Sequence, residues 1–176
     1  EKLYQPGNYD NVIRNNSNIS DDDIVVEVDG DDWLPDNKVF DRVVNYYADD
    51  NTWITYGQFR YSNGKAGFAK EVDINTVRRS VFTASHLRTW KAFLWRSIPQ
   101  RSLKVNGHYA QSAGDIFFMV PMLEMATKQH TKFSTDVNYI YNEDNPLNDH
   151  KGERASEQVE LALIGRSRKP LLPLIR

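Results

Sequence analysis

The chain opens polar and then settles into short apolar segments of recognisable period. Its first 20 residues are rich in Asn, carry Pro6-Gly7 as a turn signal, and leave room for a short helix from Asn11 to Asn18. Ile24-Val25-Val26-Glu27-Val28 is a β-branched run suited to a buried strand. It ends at Asp29-Gly30-Asp31-Asp32, where the strand gives way to a loop. Leu34-Pro35-Asp36 reads as a helix start, with Val39, Val43 and Tyr47 recurring at helical spacing. Trp53 to Tyr61 reads as a strand, Ile54, Tyr56 and Gln58 alternating with Trp53, Thr55 and Phe59. Asn63-Gly64 predicts a tight turn with both central residues at positive φ, closing a hairpin with Lys65 to Lys70.

Farther on, Ser85 to Ile98 predicts a short strand running into an aromatic-rich helix that Pro99 stops. Asp115 to Thr127 predicts a helix with Ile116, Met119, Leu123 and Ala126 on one face, although Pro121 interrupts the pattern. Val137 to Tyr141 reads as a short strand. Glu153 to Gly165 reads as a last helix, with Gly165 as its C-cap. Strands and helices interleave without strict alternation. That predicts an α/β fold, a single domain over residues 1–176 with a mixed sheet flanked by helices.

Composition narrows the function. Apolar residues make up 40% and charged residues 26% of the 176, enough for one globular core. A net charge of −2 lacks the basic surplus of a nucleic-acid-binding domain, so no nucleic-acid partner is expected. The chain has no cysteine, which excludes disulfides, thiolate zinc sites and cysteine nucleophiles and fits a cytoplasmic location. The longest apolar stretch, Ile116 to Ala126, is too short to span a bilayer and holds Glu124. No integral membrane segment is expected, leaving at most an association with the membrane periphery. The chain begins at Glu1, and we expect it to start inside a longer gene product.

The chemistry concentrates in the acidic turn. Asp29, Asp31, Asp32 and Asp36 crowd eight positions, and like charges this close are unfavourable unless a cation or donor groups offset them. Mg²⁺ and Mn²⁺ prefer oxygen ligands and often take only one or two carboxylates, with substrate phosphates filling the rest. Gly30 lets the backbone approach a ligand, and ligands of open α/β sheets sit at the carboxyl ends of strands. The competing reading is a solvated turn that caps the following helix.

Ile24 to Leu34 resembles the strand and Asp-x-Asp motif of family-two glycosyltransferases with the GT-A (Rossmann-like) fold. Two later segments agree. Ser112-Ala113-Gly114-Asp115 opens a helix where that family carries its catalytic Glu-Asp, with Gly114 in the place of the Glu. Tyr139-Ile140-Tyr141-Asn142 to Asn145-Pro146-Leu147-Asn148-Asp149-His150 resembles the region beyond that helix in a bacterial and viral branch. The family's opening nucleotide-base strand is not found in the 28 residues before Asp29, so either the domain is N-terminally truncated, the reading we expect, or its nucleotide pocket is incomplete.

The resemblance implies transfer of a sugar from a nucleotide-diphosphate sugar, a UDP-sugar favoured, to a hydroxyl of a glycan or other acceptor, with inversion and with Mn²⁺ or Mg²⁺ as cofactor. It implies Asp31 as a direct metal ligand and Asp29 on the ribose or a metal-bound water. Asp32 would orient them, and His150 would be a third metal ligand or a diphosphate contact. Lys151 and Arg154 would neutralise phosphate oxygens. Asp115 would be the general base, against its alternative as a helix N-cap. Trp33, Tyr56, Trp90, Trp95 and Tyr109 are candidates for stacking on sugar rings, each weighed against core packing, and His86 is a candidate acceptor contact. Three other readings stand beside this one: a nucleotidyltransferase, a degenerate transferase without turnover, and a carbohydrate- or cation-binding domain.

Overall fold

The computed structural model describes residues 2–145 and 154–176, the side chains of 154 and 155 excepted. Helices α1 (Tyr4–Asn15), α2 (Val39–Tyr46), α3 (Ala92–Arg96), α4 (Gly114–Ala126) and α5 (Arg154–Ser167) surround a mixed sheet. The sheet holds β1 (Ile24–Glu27), β2 (Ile54–Tyr61), β3 (Arg88–Lys91) and β6 (Thr131–Tyr141). Their order is β1-β3-β2-β6, with β3 antiparallel to both its neighbours and β2 parallel to β6. A separate small hairpin joins β4 (Lys104–Val105) to β5 (His108–Tyr109). This is the expected α/β architecture, a mixed sheet flanked by helices.

Apolar residues divide between the two faces of the sheet as the period of two dictates. Val25 of β1, Ile54 and Tyr56 of β2 and Trp90 of β3 pack with α3 and α4. Ile24, Val26, Phe59, Leu87 and Tyr139 pack with Val39, Val43 and Tyr47, the residues whose spacing marked α2. Helix α4 lies deepest. Twelve of its thirteen residues are buried, so the one-sided face expected for it is wrong. Pro121 is accommodated without a break, since dense packing on every side holds the helix together.

Several boundaries differ from expectation. Helix α1 starts at Tyr4, with Pro6 and Gly7 in its first turn, where a missing amide hydrogen costs no intrahelical bond. At Asn63-Gly64 only Gly64 takes positive φ, and the return arm pairs through a single bridge from Arg60 to Ala66. Gly67 still donates its amide to the Phe59 carbonyl at 2.9 Å and seats against the Phe59 ring, where a Cβ would stand 2.6 Å from the ring carbons. Asn106-Gly107 is the turn with two positive-φ residues, and it closes the β4–β5 hairpin. Gly165 caps nothing: α5 continues to Ser167, and the buried Gly165 offers its carbonyl to Arg78 Nη1 at 2.7 Å. Strand β6 runs 11 residues, well beyond the expected Val137 to Tyr141. Among the described residues no helix is long and apolar enough to cross a membrane.

Candidate active site

The fold gathers Asp29, Asp31, Asp32, His86 and Asp115, distant in the sequence, around one cavity of about 800 Å³. Asp29, Asp31 and Asp32 form one wall, at the carboxyl end of β1. Asp115 and the start of α4 lie on the lining as well, and His86 and Arg88 come from the segment entering β3. A side recess of about 280 Å³ shares Asp115 and Arg88 with this cavity and adds the apolar side chains of Phe82, Ile116, Val159 and Ala162.

The acidic turn is tied down from β6. The Asp29 amide donates to the Tyr139 hydroxyl at 3.1 Å, and the Asn142 amide donates to Asp32 Oδ1 at 2.7 Å. Trp33 and Ile140 exchange both backbone hydrogen bonds. Asp32 therefore spends one carboxylate oxygen on the fold itself. Burial pushes its carboxyl above the usual range, against the pull of the Tyr139 hydroxyl and the Asn142 amide. Burial likewise raises Asp29, opposed by the charge of Arg88 and reinforced by Asp32 and Asp31. Asp31 is exposed at the cavity edge and accepts a hydrogen bond from Asn145 Nδ2.

Asp115 is the single residue of α4 that is not buried. It does not cap the helix. The N-cap position is Ala113, in the left-handed region with no side-chain cap bond, and Asp115 Oδ1 accepts only the next amide, that of Ile116, at 2.9 Å. The uncapped N-terminus of α4 faces the cavity at Gly114, an arrangement that favours anions.

Two residues missed in the sequence lie beneath these carboxylates. Arg88 is buried and reaches Glu27 at 3.4 Å and Asp115 at 3.3 Å. Glu27 is buried too, and burial, opposed by Arg88, pushes its carboxyl up to about 7. The signal available was a carboxylate inside an otherwise β-branched strand, a position that demands a buried partner. Its partner is 61 positions away, and nothing local names it.

His86 is buried, and its ring stacks on Tyr139 with centroids 4.3 Å apart. Burial, reinforced by the charge of Arg88, pushes its imidazole well below the ordinary range, leaving it neutral at pH 7. His86 Nδ1, Asp32 Oδ2 and Ser112 Oγ are buried atoms of cavity-lining residues, without a hydrogen-bond partner among the described residues. Such atoms disfavour the fold unless a ligand or solvent meets them.

The aromatic candidates fare worse. Trp90 and Trp95 are fully buried and stacked on each other at 5.9 Å, so neither is open to a sugar. Tyr56 is buried and accepts the Val72 amide at 2.8 Å. Tyr109 does not line the cavity, and its hydroxyl is committed to Asp10 at 2.8 Å. Trp33 is exposed beside the acidic turn but outside the cavity lining. His150 and Lys151 lie outside the described residues, as does the side chain of Arg154.

Among the described lining residues, Asp29, Asp31, Asp32, Asp115 and Glu143 carry negative charge and Arg88 alone carries positive charge. Among the described residues no three His, Asp or Glu side chains converge as a ready cage for a metal ion. Such a donor set suits a cation that takes one or two carboxylates and draws further oxygens from a bound phosphate, the common arrangement for Mg²⁺.

In overall structure the chain is similar to residues 1–349 of TarS from S. aureus, a glycosyltransferase, with a TM-score of 0.48 and 14% identity. The match covers 81% of this chain and 40% of that one, so the chain spans less than half the length of that protein. No protein-family model matches the sequence, and no curated protein matches it.

Proposed function

We propose that the chain carries out metal-dependent glycosyl transfer from a nucleotide-diphosphate sugar to an acceptor hydroxyl, with inversion. The observation that carries this reading is the shared cavity: an acidic turn at a strand end and an isolated carboxylate at a helix start line the same space. The two-part chemistry needs both. The leaving diphosphate gathers negative charge and must meet a cation. The attacking hydroxyl must lose a proton to a carboxylate within reach.

A nucleotide diphosphate entering this cavity would meet a surplus of carboxylates. A divalent cation would offset that repulsion, with Asp31 as its direct ligand and Asp29 holding a metal-bound water or the ribose. A bound Mg²⁺ or Mn²⁺ would supply Lewis-acid stabilisation to the departing phosphate oxygen. The N-terminus of α4, whose N-cap residue makes no side-chain bond, adds a fixed dipole of the same sense. Asp115 takes the acceptor proton. His86, neutral and without a partner at Nδ1 among the described residues, offers a hydrogen bond to a hydroxyl without adding charge.

The test is a thermal-shift panel of UDP, GDP, CDP and TDP, each with Mn²⁺ and with EDTA. A nucleotide at 100 times its dissociation constant adds about 2.7 kcal/mol, a readily measured shift. The expected result is a shift that needs both Mn²⁺ and one nucleotide, lost in Asp31→Asn and kept in Asp115→Asn, the latter losing transfer. A shift with Mn²⁺ alone would favour a cation-binding domain. Normal transfer by Asp115→Asn would remove it as the base.

A further inference from the structure

The carboxylate of Asp115 is fixed at both oxygens. Oδ1 accepts the Ile116 amide at 2.9 Å and Oδ2 accepts Arg88 Nη2 at 3.3 Å. Arg88 is itself fixed from three directions. Its Nε donates to the Ala84 carbonyl at 3.3 Å, and its Nη1 lies 3.4 Å from each carboxylate oxygen of Glu27. Glu27 in turn accepts Gln5 Nε2 at 3.0 Å and the Tyr9 hydroxyl at 3.3 Å. The side chains of Glu27 and Arg88 are 0% and 7% exposed, whereas that of Asp115 is 30% exposed. A continuous polar line thus runs from α1 through β1 and β3 to the one open carboxylate of α4. Burying a charged pair is costly and is a weak source of stability, so its presence calls for another role.

We propose that Arg88 is a positioning residue, which holds the Asp115 carboxylate aimed into the cavity, and that Glu27 sets Arg88 for that task. The inference rests on the reading of Asp115 as the base. Arg88 contributes through Asp115 rather than by touching donor phosphates, because its guanidinium, on the cavity lining but only 7% exposed, is already shared between Glu27 and Asp115. The planar fork of arginine spans both at once, which a lysine ammonium cannot do with the same geometry.

The experiment uses the 176-residue chain and needs no acceptor, since water can take the sugar. Release of UDP from UDP-glucose, UDP-galactose and their N-acetylated counterparts is followed with Mn²⁺ for the wild type, Arg88→Lys, Glu27→Gln and Asp115→Asn. Binding of UDP with Mn²⁺ is followed in parallel by thermal shift. Glu27→Gln preserves shape and guards against loss of fold in Arg88→Lys. A displacement of the base by about 1 Å costs on the order of a hundredfold in rate. We expect kcat to fall by roughly that factor in Arg88→Lys and by a smaller factor in Glu27→Gln, with donor KM and the UDP–Mn²⁺ shift unchanged. Wild-type kcat in both variants would overturn the inference while leaving the function standing. So would a loss of UDP–Mn²⁺ binding with kcat unchanged, which would make Arg88 a donor contact. Absence of both UDP release and the UDP–Mn²⁺ shift in the wild type would overturn the functional reading, and the inference with it.

Discussion

Tyr139→Phe isolates the tether of the acidic turn. The ring is fully buried and stacks on His86, and phenylalanine fills the same volume, so no cavity opens. What disappears is the acceptor of the Asp29 amide, at 3.1 Å, and the hydroxyl beside the Asp32 carboxylate. That hydroxyl stays protonated at all working pH values, since burial and the charge of Asp29 raise its ionisation far above the usual range. Leaving one buried partner unpaired costs roughly 1–3 kcal/mol, and the contact to half-exposed Asp32 adds less, so about 2 kcal/mol is expected in total. For a chain of this size that lowers the melting temperature by about 4–8 °C. A loosened turn should also weaken the proposed Mn²⁺-dependent nucleotide binding by roughly 10–100-fold, as outer-sphere changes at metal sites do. Urea unfolding followed by circular dichroism measures the first effect, and a UDP titration with Mn²⁺ by thermal shift measures the second. A variant within about 0.5 kcal/mol of wild type and with an unchanged titration would refute the tether.

Asp10 governs acid stability. Burial pushes its carboxyl up, but donors from Gln100, Arg14, Tyr109 and Trp95 outweigh burial and leave it below the ordinary value of 3.8. A lowered folded-state value stabilises the fold above the unfolded-state value and loses that effect as pH falls through the folded one. The wild type should therefore lose stability below about pH 4, and Asp10→Asn should flatten that limb in pH-dependent urea unfolding. The same variant should lose about 1–3 kcal/mol at pH 7, because the charge-assisted bond from Arg14 becomes a neutral one and an NH₂ turned toward Tyr109 and Gln100 is met only if both reorient to accept. Gly67→Ala should cost about 1–3 kcal/mol by pressing on the Phe59 ring, and a melting temperature equal to wild type would contradict that packing.

The β-branched run at Ile24 announced β1, and the spacing of Val39, Val43 and Tyr47 announced the buried stripe of α2. These elements were legible because one local period decides them. The order of the sheet was not, since β3 enters between β1 and β2 through pairings between residues far apart in the chain. Trp90 shows the limit for side chains: an aromatic suited to sugar stacking is equally suited to a core, and only the fold chooses. The carboxylates at 29, 31, 32 and 115 stood out in the sequence as candidates. Their common cavity and the arginine that joins Glu27 to Asp115 depend on contacts with no local sequence signal.

The burial of α4 has a consequence for how the molecule fails. Backbone amides from Val120 to Ala126 sit in packing that opens only when much of the domain opens, so their deuterium exchange should be among the slowest in the chain. Asp115 stands at the head of this slow-exchanging unit. Its carboxylate is carried on a pedestal that does not loosen ahead of the rest, so heating should abolish activity and native structure in one step.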